Sequence, residues 1–316
     1  MTGQPTTGET VAVVIVTYNR AALLRTCLDA LARSRRRPDA VIVVDNASTD
    51  DTAAVLAAAG ETWPGLPVEA VNPGDNLGGA GGFHLGVSRA YAGGYDRIWL
   101  MDDDVAPAPD CLEVLMAHPG PALMAVREDR QGRICEKAAT RFDLENPLAI
   151  RPKREMVEDR YPTRSSMPAD VPVENVAFEG FMVQRRVVDA VGLPDPGFFI
   201  FYDDVDYAVR VRRAGFAIVA VRDAVLVRQL DFDQQHDMRS WKGYYMYRNL
   251  FVVHRRYGAN ALVRYKPVLI TLVVLLLSPL RGGRAEARNV WRALRDTGDL
   301  ARTTPPGPPV MGASQG

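Results

Sequence analysis

The sequence predicts an α/β fold: a doubly wound, mostly parallel sheet of Rossmann-like type, followed by a helical C-terminal region. Three observations carry that prediction. Short β-branched runs at 11–16 (VAVVIV) and 41–44 (VIVV) are continuous rather than alternating, as strands covered on both faces are. Helical apolar spacing fills the intervals between such runs, which is the order of successive βαβ units. Carboxylates stand directly behind the strand runs, at Asp45 and at Asp102, Asp103 and Asp104, where open α/β sheets carry their ligands.

Each element has a local reason. After the first strand Asn19 offers a helix cap, and Leu23, Leu24, Cys27, Leu28 and Leu31 recur on one helical face. Pro38 ends that stretch, and the second strand stops at Asp45. Ser48, Thr49 and Asp50 can cap an alanine-rich helix over 51–59, and 68–71 is a short third strand. A glycine-rich turn opens a helix carrying Phe83, Val87, Ala90 and Tyr91, and 98–101 is the fourth strand. Residues 143–172 are rich in proline, arginine and glutamate with little periodicity, and read as a long surface loop or flap. Strands resume over 176–183 and 198–202. A helix is expected over 204–214, stopped by Gly215, then a strand over 217–221 and a helix over 241–257. The chain divides into a disordered N-terminus (1–10), a nucleotide-binding half (11–110), a second half (111–258), a helical region (259–300) and a proline- and glycine-rich tail (301–316) expected to be disordered.

Composition sets the bounds. The 316 residues allow one large domain or two small ones, and 47% hydrophobic with 24% charged residues is enough for a substantial core. Thirty-eight basic and thirty-eight acidic side chains cancel, which excludes the global field of a nucleic-acid binder. The three cysteines, Cys27, Cys111 and Cys135, are widely spaced with no CxxC pair, so neither a disulfide framework nor a zinc ribbon is expected. No basic stretch precedes Val11, so no secretory leader is expected. Residues 268–280 (VLITLVVLLLSPL) are apolar apart from Thr271 and Ser278, and Arg264, Lys266, Arg281 and Arg284 bracket them. The run is shorter than the ~20 residues of a bilayer span. It reads either as a buried core element or as an interfacial anchor whose basic flanks meet anionic lipid, and the clustered charge favours the anchor.

Four constellations could carry chemistry. In a strand-like backbone Asp102 and Asp104 point one way and Asp103 the other, so two carboxylates on one side suit a hard divalent ion, Mn2+ or Mg2+, that also takes diphosphate oxygens. The alternative is a solvated acidic turn. The run 75–82 (DNLGGAGG) opens a helix, where glycines let backbone and helix terminus approach an anionic or polyhydroxyl ligand. It is not a dinucleotide fingerprint, which would need glycine where His84 stands, nor a Walker A loop. Thr17, Tyr18, Asn19 and Arg20 end the first strand beside Asp45. A tyrosine can stack on a base, an arginine can pair with phosphate, and Asp45 can accept from a base N–H or merely cap. Finally, residues 201–207 (FYDDVDY) put acids among aromatics, where a raised pKa suits a carboxylate to take a proton from a hydroxyl, unless Asp203 or Asp204 only caps the helix.

Taken together, TYNR, VVDNAST, DNLGGAGGF, IWLMDDDV, FYDDVDY and WKGYYMYRN resemble the family-2 inverting glycosyltransferases, and within them the actinobacterial galactofuranosyltransferases of cell-wall galactan. The resemblance spans about residues 11–257 and implies a GT-A-like fold, with residues 11–110 holding the nucleotide sugar and 111–258 the acceptor and catalytic groups. Compact length resembles the initiating enzyme, which moves galactofuranose from UDP-galactofuranose to a polyprenyl-diphosphate-linked rhamnosyl-N-acetylglucosamine. It implies metal binding by Asp102 and Asp104, with Asp103 facing the donor sugar. Thr17, Tyr18 and Arg20 would lie around uracil and diphosphate, and Asp75, Asn76 and Gly79 against ribose and sugar. Asp204 would be the general base, and Trp241 with residues 244–249, Tyr245 and Arg248 among them, would close the site near diphosphate and acceptor. Two departures stand out. Related polymerases carry a metal-binding histidine where Arg228 stands here, so Arg228 neutralises diphosphate, or His236 reaches in, or the metal has carboxylate ligands alone. The polymerases also hold the acceptor beside a tryptophan pair after a glycine, whereas Gly180 here precedes Phe181 and Met182. The implied partners are a UDP-sugar, a lipid-linked glycan and the inner leaflet of the cell membrane, which the protein would meet peripherally from the cytoplasmic side, with no nucleic acid and with oligomerisation left open. A rhamnosyltransferase using dTDP-rhamnose and a catalytically silent nucleotide-sugar binder remain the alternatives.

Overall fold

The computed structural model describes residues 8–149, 152–230, 237–278 and 284–307. The first half alternates as the sequence requires: β1 (Val11–Thr17), α1 (Ala21–Ala32), β2 (Ala40–Asp45), α2 (Thr52–Ala57), α3 (Ala59–Thr62), β3 (Val68–Val71), α4 (Gly78–Ala92) and β4 (Arg97–Asp102). The single alanine-rich helix expected over 51–59 is two short ones that break at Ala58. Next come β5 (Val105–Pro107), α5 (Cys111–Ala117) and β6 (Ala122–Glu128). β7 (Ala139–Phe142) comes just before the stretch 143–172 expected to be an irregular flap, which itself contains β8 (Lys153–Met156), α6 (Val157–Arg160) and most of β9 (Asp170–Val173). β7 and β8 form an antiparallel hairpin, and β9 joins the main sheet beside the eleventh strand. The remainder is β10 (Phe181–Gln184), α7 (Arg185–Val191), α8 (Asp203–Arg213), β11 (Ile218–Arg228), α9 (Trp241–Tyr257), α10 (Ala261–Leu277) and α11 (Arg284–Arg302).

One nine-stranded sheet runs β3-β2-β1-β4-β10-β6-β11-β5, with β9 on β11. Strands β3, β2, β1 and β4 are mutually parallel, as are β6 and β11, while β10 runs antiparallel between β4 and β6. Alternate side chains of each strand serve opposite faces. Ala12, Val14 and Val16 pack with Phe83, Val87 and Ala90 of α4 and Tyr207 and Val211 of α8. Val11, Val13 and Ile15 pack with Leu24, Leu28 and Leu31 of α1 and Leu112 and Leu115 of α5. Both faces are therefore covered, and the carboxyl ends of β1, β2 and β4 open on a common rim.

One expectation is corrected here, and one open alternative is narrowed. Residues 198–202 are not a strand: Phe199, Phe201 and Tyr202 all have positive φ (63°, 67° and 66°), which no β ladder accepts. The apolar run 268–280, for which core and surface were both open, is not core over its described residues. Its described part belongs to α10, whose Val263, Pro267, Thr271 and Val274 face inward, while Leu262, Tyr265, Val268, Leu269, Leu272, Val273, Leu276 and Leu277 are exposed. At 100° per residue those eight cover about half the helix circumference. No helix among the described residues is long and apolar enough to cross a membrane.

Candidate active site

Strand β4 ends at Asp102, and the chain turns immediately after it. Asp103 folds beneath β1, where its carboxylate accepts from Thr17 Oγ1 at 2.7 Å and Arg20 at 3.1 Å. Burial nevertheless pushes Asp103 up to about 6, against the opposing pull of Arg20 and Thr17. Asp102 is held well above the carboxylate range by burial and by the negative charge of Asp104 and Asp103. Arg20 also reaches Asp104 Oδ2 at 3.3 Å, yet Asp104 Oδ1 is buried with no hydrogen-bond partner. Asp102 and Asp104 do share one side, and Glu179 joins them, the three offering oxygens within 4.8 Å of one another. Glu179 arrives from the turn before β10, and Arg127 of β6 holds it while also pairing with Glu136 at 3.0 Å. Three carboxylates with an orphaned buried oxygen could hold a hard divalent cation.

These acids line a cavity of about 520 Å³, shared by Thr17, Tyr18, Arg20, Asn76, Gly79, Arg127, Lys153, Arg228 and Trp241. Gly78 opens α4 at φ +70°, and a Cβ there would stand 2.1 Å from the Phe199 carbonyl oxygen, so only glycine fits. Gly79 faces open space, and Asn76 Oδ1 accepts from Gly78 N at 2.9 Å, fixing the turn. Asp75 is exposed and does not line the cavity.

Asp203 and Asp204 enter the same cavity from the first turn of α8. Burial and the neighbouring Asp204 push Asp203 well up. Burial also raises Asp204, opposed by the positive charge of Lys153 and Arg127. Helix α8 is fixed from behind: the fully buried Asp206 accepts from Arg210 at 2.9 Å, Arg256 at 2.9 Å and Tyr257 at 2.6 Å. The loop leading into α8 holds three left-handed non-glycine residues, each costing about 1–2 kcal/mol. Trp241 lines the cavity and meets Phe199 and Tyr245 edge-on.

Several sequence-expected residues lie elsewhere. Asp45 is buried and accepts from Ser48 N at 2.9 Å, capping the turn after β2. Asn46 lines the cavity in its place, donating to Gly78 O at 3.0 Å with its Oδ1 buried and unpartnered. Phe181 is fully buried against Phe178 and Tyr207 and cannot touch an acceptor. Tyr245 supports the site from outside, its ring stacked on Phe199 at 5.0 Å. Arg248 donates to the Gly197 and Phe198 carbonyls at 2.7 and 2.9 Å rather than to the cavity. His236 lies outside the described residues. Sequence reasoning missed Glu179, Asn46, Asp203 as a cavity acid, and Lys153. Of these four, only Asp203 had a local signal, standing beside Asp204 in the acidic run at 201–207.

A larger cleft of about 830 Å³ is lined by Arg141, Glu155, Arg160, Glu174 and Arg212 among others. Its Arg212 pairs with Glu174 at 2.9 Å, and among the described residues no cluster of carboxylates that could hold a metal converges there, which favours the smaller cavity as the site.

Comparison with known proteins agrees with this geometry. Residues 8–248 match the model of glycosyltransferase-like family 2. The chain is 35% identical to the galactofuranosyltransferase GlfT1 of Mycolicibacterium smegmatis over 66% of this chain and 67% of that protein. It is 32% identical to the Mycobacterium tuberculosis protein of the same name, over 72% of each. An N-acetylglucosaminyl-diphospho-decaprenol L-rhamnosyltransferase of M. tuberculosis is 26% identical over 68% of this chain and 75% of its own length. Among solved structures, a mannosyltransferase of Pyrobaculum calidifontis in complex with GDP-Man and Mn2+ aligns with TM-score 0.56 at 20% identity, covering 95% of this chain and 77% of that one. The fold those structures share is the GT-A-like one described above.

Proposed function

The chain belongs to glycosyltransferase family 2, and from that premise we propose that it starts cell-wall galactan by transferring galactofuranose, with inversion, from UDP-galactofuranose to a polyprenyl-diphosphate-linked rhamnosyl-N-acetylglucosamine. The observation that carries the reading is one cavity shared by the Asp102–Asp104–Glu179 cluster and the Asp203–Asp204 pair. The two relatives named galactofuranosyltransferase support the donor and the initiating role.

Transfer is a single displacement. The acceptor hydroxyl oxygen forms its bond to the anomeric carbon while the bond from that carbon to the diphosphate oxygen breaks, and UDP leaves with the electron pair. Asp204 takes the hydroxyl proton, and its raised pKa makes it a stronger base than a solvent-exposed aspartate. Tyr18, Asn46 and Arg228 all line this cavity, and in this reading Tyr18 and Asn46 would take the nucleoside and Arg228, at the end of β11, the diphosphate. Asp102, Asp104 and Glu179 would hold Mn2+ or Mg2+, which would supply positive charge against the leaving diphosphate. The β7–β8 hairpin contributes Lys153 to the cavity wall.

A membrane-bound acceptor also gives the exposed face of α10 a role. Half a helix circumference is broader than the narrow seam of a two-helix coiled coil and suits a planar apolar medium. On α11 Arg284, Arg288, Arg292 and Arg295 are exposed beside Trp291, the composition of an interfacial helix on anionic lipid. The protein would thus work peripherally on the inner leaflet.

The test is donor choice: UDP-galactofuranose, UDP-galactopyranose and dTDP-rhamnose, each with Mn2+ and a short lipid-linked rhamnosyl-N-acetylglucosamine. Product from UDP-galactofuranose alone is expected. Product from dTDP-rhamnose would overturn the donor and keep the cavity chemistry, in line with the 26% identical rhamnosyltransferase.

A further inference from the structure

The loop at 196–202 has an unusual support. Its Phe199 and Ile200 side chains line the cavity together with Phe201, and the acid pair follows directly. Three of its residues are left-handed without being glycine, and Phe199 (φ 63°, ψ −59°) sits in the strained region of a tight three-residue turn. Such a backbone persists only if its surroundings over-determine it.

Those surroundings are two adjacent side chains of α9. Asn249, with no exposed surface, points its amide nitrogen at the carbonyls of Phe198, Ile200 and Phe201 at 3.0, 2.7 and 2.9 Å. Its Oδ1 accepts from Arg248 Nε at 2.9 Å, and the same guanidinium caps Gly197 and Phe198. The remaining carbonyls of the loop go to the site's other walls. Phe199 O accepts from Ala80 N in the first turn of α4 at 3.1 Å, and Tyr202 O from Asp206 N in α8 at 2.8 Å. Every carbonyl from 197 to 202 is thereby satisfied, and the loop ties the glycine-rich helix end to the acid-bearing helix.

We infer that Asn249 is a positioning residue for transfer: by clamping the left-handed loop it sets where Asp203 and Asp204 stand relative to the glycine-rich end of α4. This rests on the reading of that acid pair as the base-bearing one. Asn249 is fully buried and does not line the cavity; it acts through the loop. A hydrophobic residue of the same size removes the donors while filling the space, and takes from the Ile200 carbonyl the amide it accepts from at 2.7 Å.

The experiment compares Asn249→Leu, Tyr202→Gly and the double variant in the full chain. For Asn249→Leu, kcat should fall about a hundredfold, because displacing a reacting group by about an ångström costs that much. Donor KM and the Kd of UDP with Mn2+ should stay within about threefold, since the nucleotide contacts are untouched. Glycine at position 202 accepts the left-handed conformation without strain, so adding Tyr202→Gly should recover about tenfold of the loss. A kcat within about threefold of the parent would overturn the inference. Parallel loss of kcat and UDP affinity with no recovery in the double variant would also overturn it, reducing Asn249 to a general packing role. Hydrogen exchange on the unmodified protein gives an answer even if Asn249→Leu does not fold. The amides of Ala80 and Ile200 should exchange as slowly as those of α8, and exchange at free-loop rates would sink the clamp. Should the unmodified protein transfer no sugar from any donor, the proposed function fails, while the exchange result still decides the clamp.

Discussion

Asp102, Asp103, Asp104, Glu179, Asp203 and Asp204 line one cavity with Arg20, Arg127 and Lys153 among them, so each acid is set by a different local balance. Asp103 is committed to Thr17 and Arg20, which leaves Asp102, Asp104 and Glu179 for a cation. Glu179→Gln removes one of three carboxylates and should weaken Mn2+-dependent UDP binding about 10–100-fold by calorimetry. Unchanged binding would remove Glu179 from the metal site. Asp204 carries the pH dependence. Its folded pKa is raised above that of a free aspartate by burial, so the base form is lost as pH falls through that raised value. The acid limb of the transfer rate should therefore lie above the ordinary carboxylate range. The same shift means that folding favours the protonated acid, so its stabilising contribution is present at low pH and lost as pH rises through the folded pKa. Asp204→Asn should then lose about 10²–10⁴-fold in kcat, retain UDP binding and show no loss of Tm at neutral pH. Near-normal turnover would end its assignment as base. At this scale Asp102, Asp104 and Asp204 could be read from the sequence, because each stands directly behind a strand run or at a helix start. Glu179 and Asn46 could not: the antiparallel pairing of β10 with β4 brings the first in, and the turn after β2 swings the second into the crevice while burying Asp45.

Among elements, α9 bears most of the support. It carries Asn249 and Arg248 under the loop, Arg256 and Tyr257 against Asp206, and His254 toward α10. His254 is fully buried, its Nδ1 sits 3.0 Å from Leu250 O, and its Nε2 has no partner. Burial, with Lys266 adding to it, lowers His254 to about 4 from an ordinary value of 6.5. Between those pH values the unfolded chain binds a proton that the folded chain refuses. Stability is therefore complete above pH 6.5 and declines as pH falls toward 4, by up to about 3 kcal/mol from this one group. Denaturant titrations at several pH values should show that decline in the parent and a shallower one in His254→Leu. Equal slopes would exclude His254 as the cause. The periodicity of 241–257 marked α9 as a helix at its observed bounds, but not which of its faces holds the loop. The aromatic run at 198–202 misled for a related reason. Aromatic residues fit strands in general, and here hydrogen bonds from α9 impose a left-handed backbone instead.

For the whole molecule, the outstanding feature is the uncovered half of α10. Replacing Leu269 and Leu272 by glutamate places charge on that face without touching its inward side, Val263, Pro267, Thr271 and Val274. The parent should sediment with phosphatidylglycerol vesicles and be released by salt, since exposed arginines on α11 contribute the electrostatic part. The double variant should bind at least about tenfold more weakly, with Tm unchanged, because each leucine contributes about 1.5 kcal/mol when buried in lipid. Indifference of the parent to anionic vesicles would remove the membrane from the proposal.

The sequence by itself determined the α/β order, the parallel strands β1, β2 and β4, and the strand-end position of Asp102 and Asp104, because strand periodicity and strand-end position are local properties. It also marked 268–280 as unusual, leaving core and surface both open. Tertiary structure decided the rest. Whether an apolar stripe is covered depends on which helices pack beside it, and α9 and α11 cover only one side of α10. Which oxygens meet at a cavity depends on strands paired across the chain, and which backbone carbonyls an asparagine can hold depends on a helix folded back beneath them. These are relations between distant residues, and no window along the chain contains them.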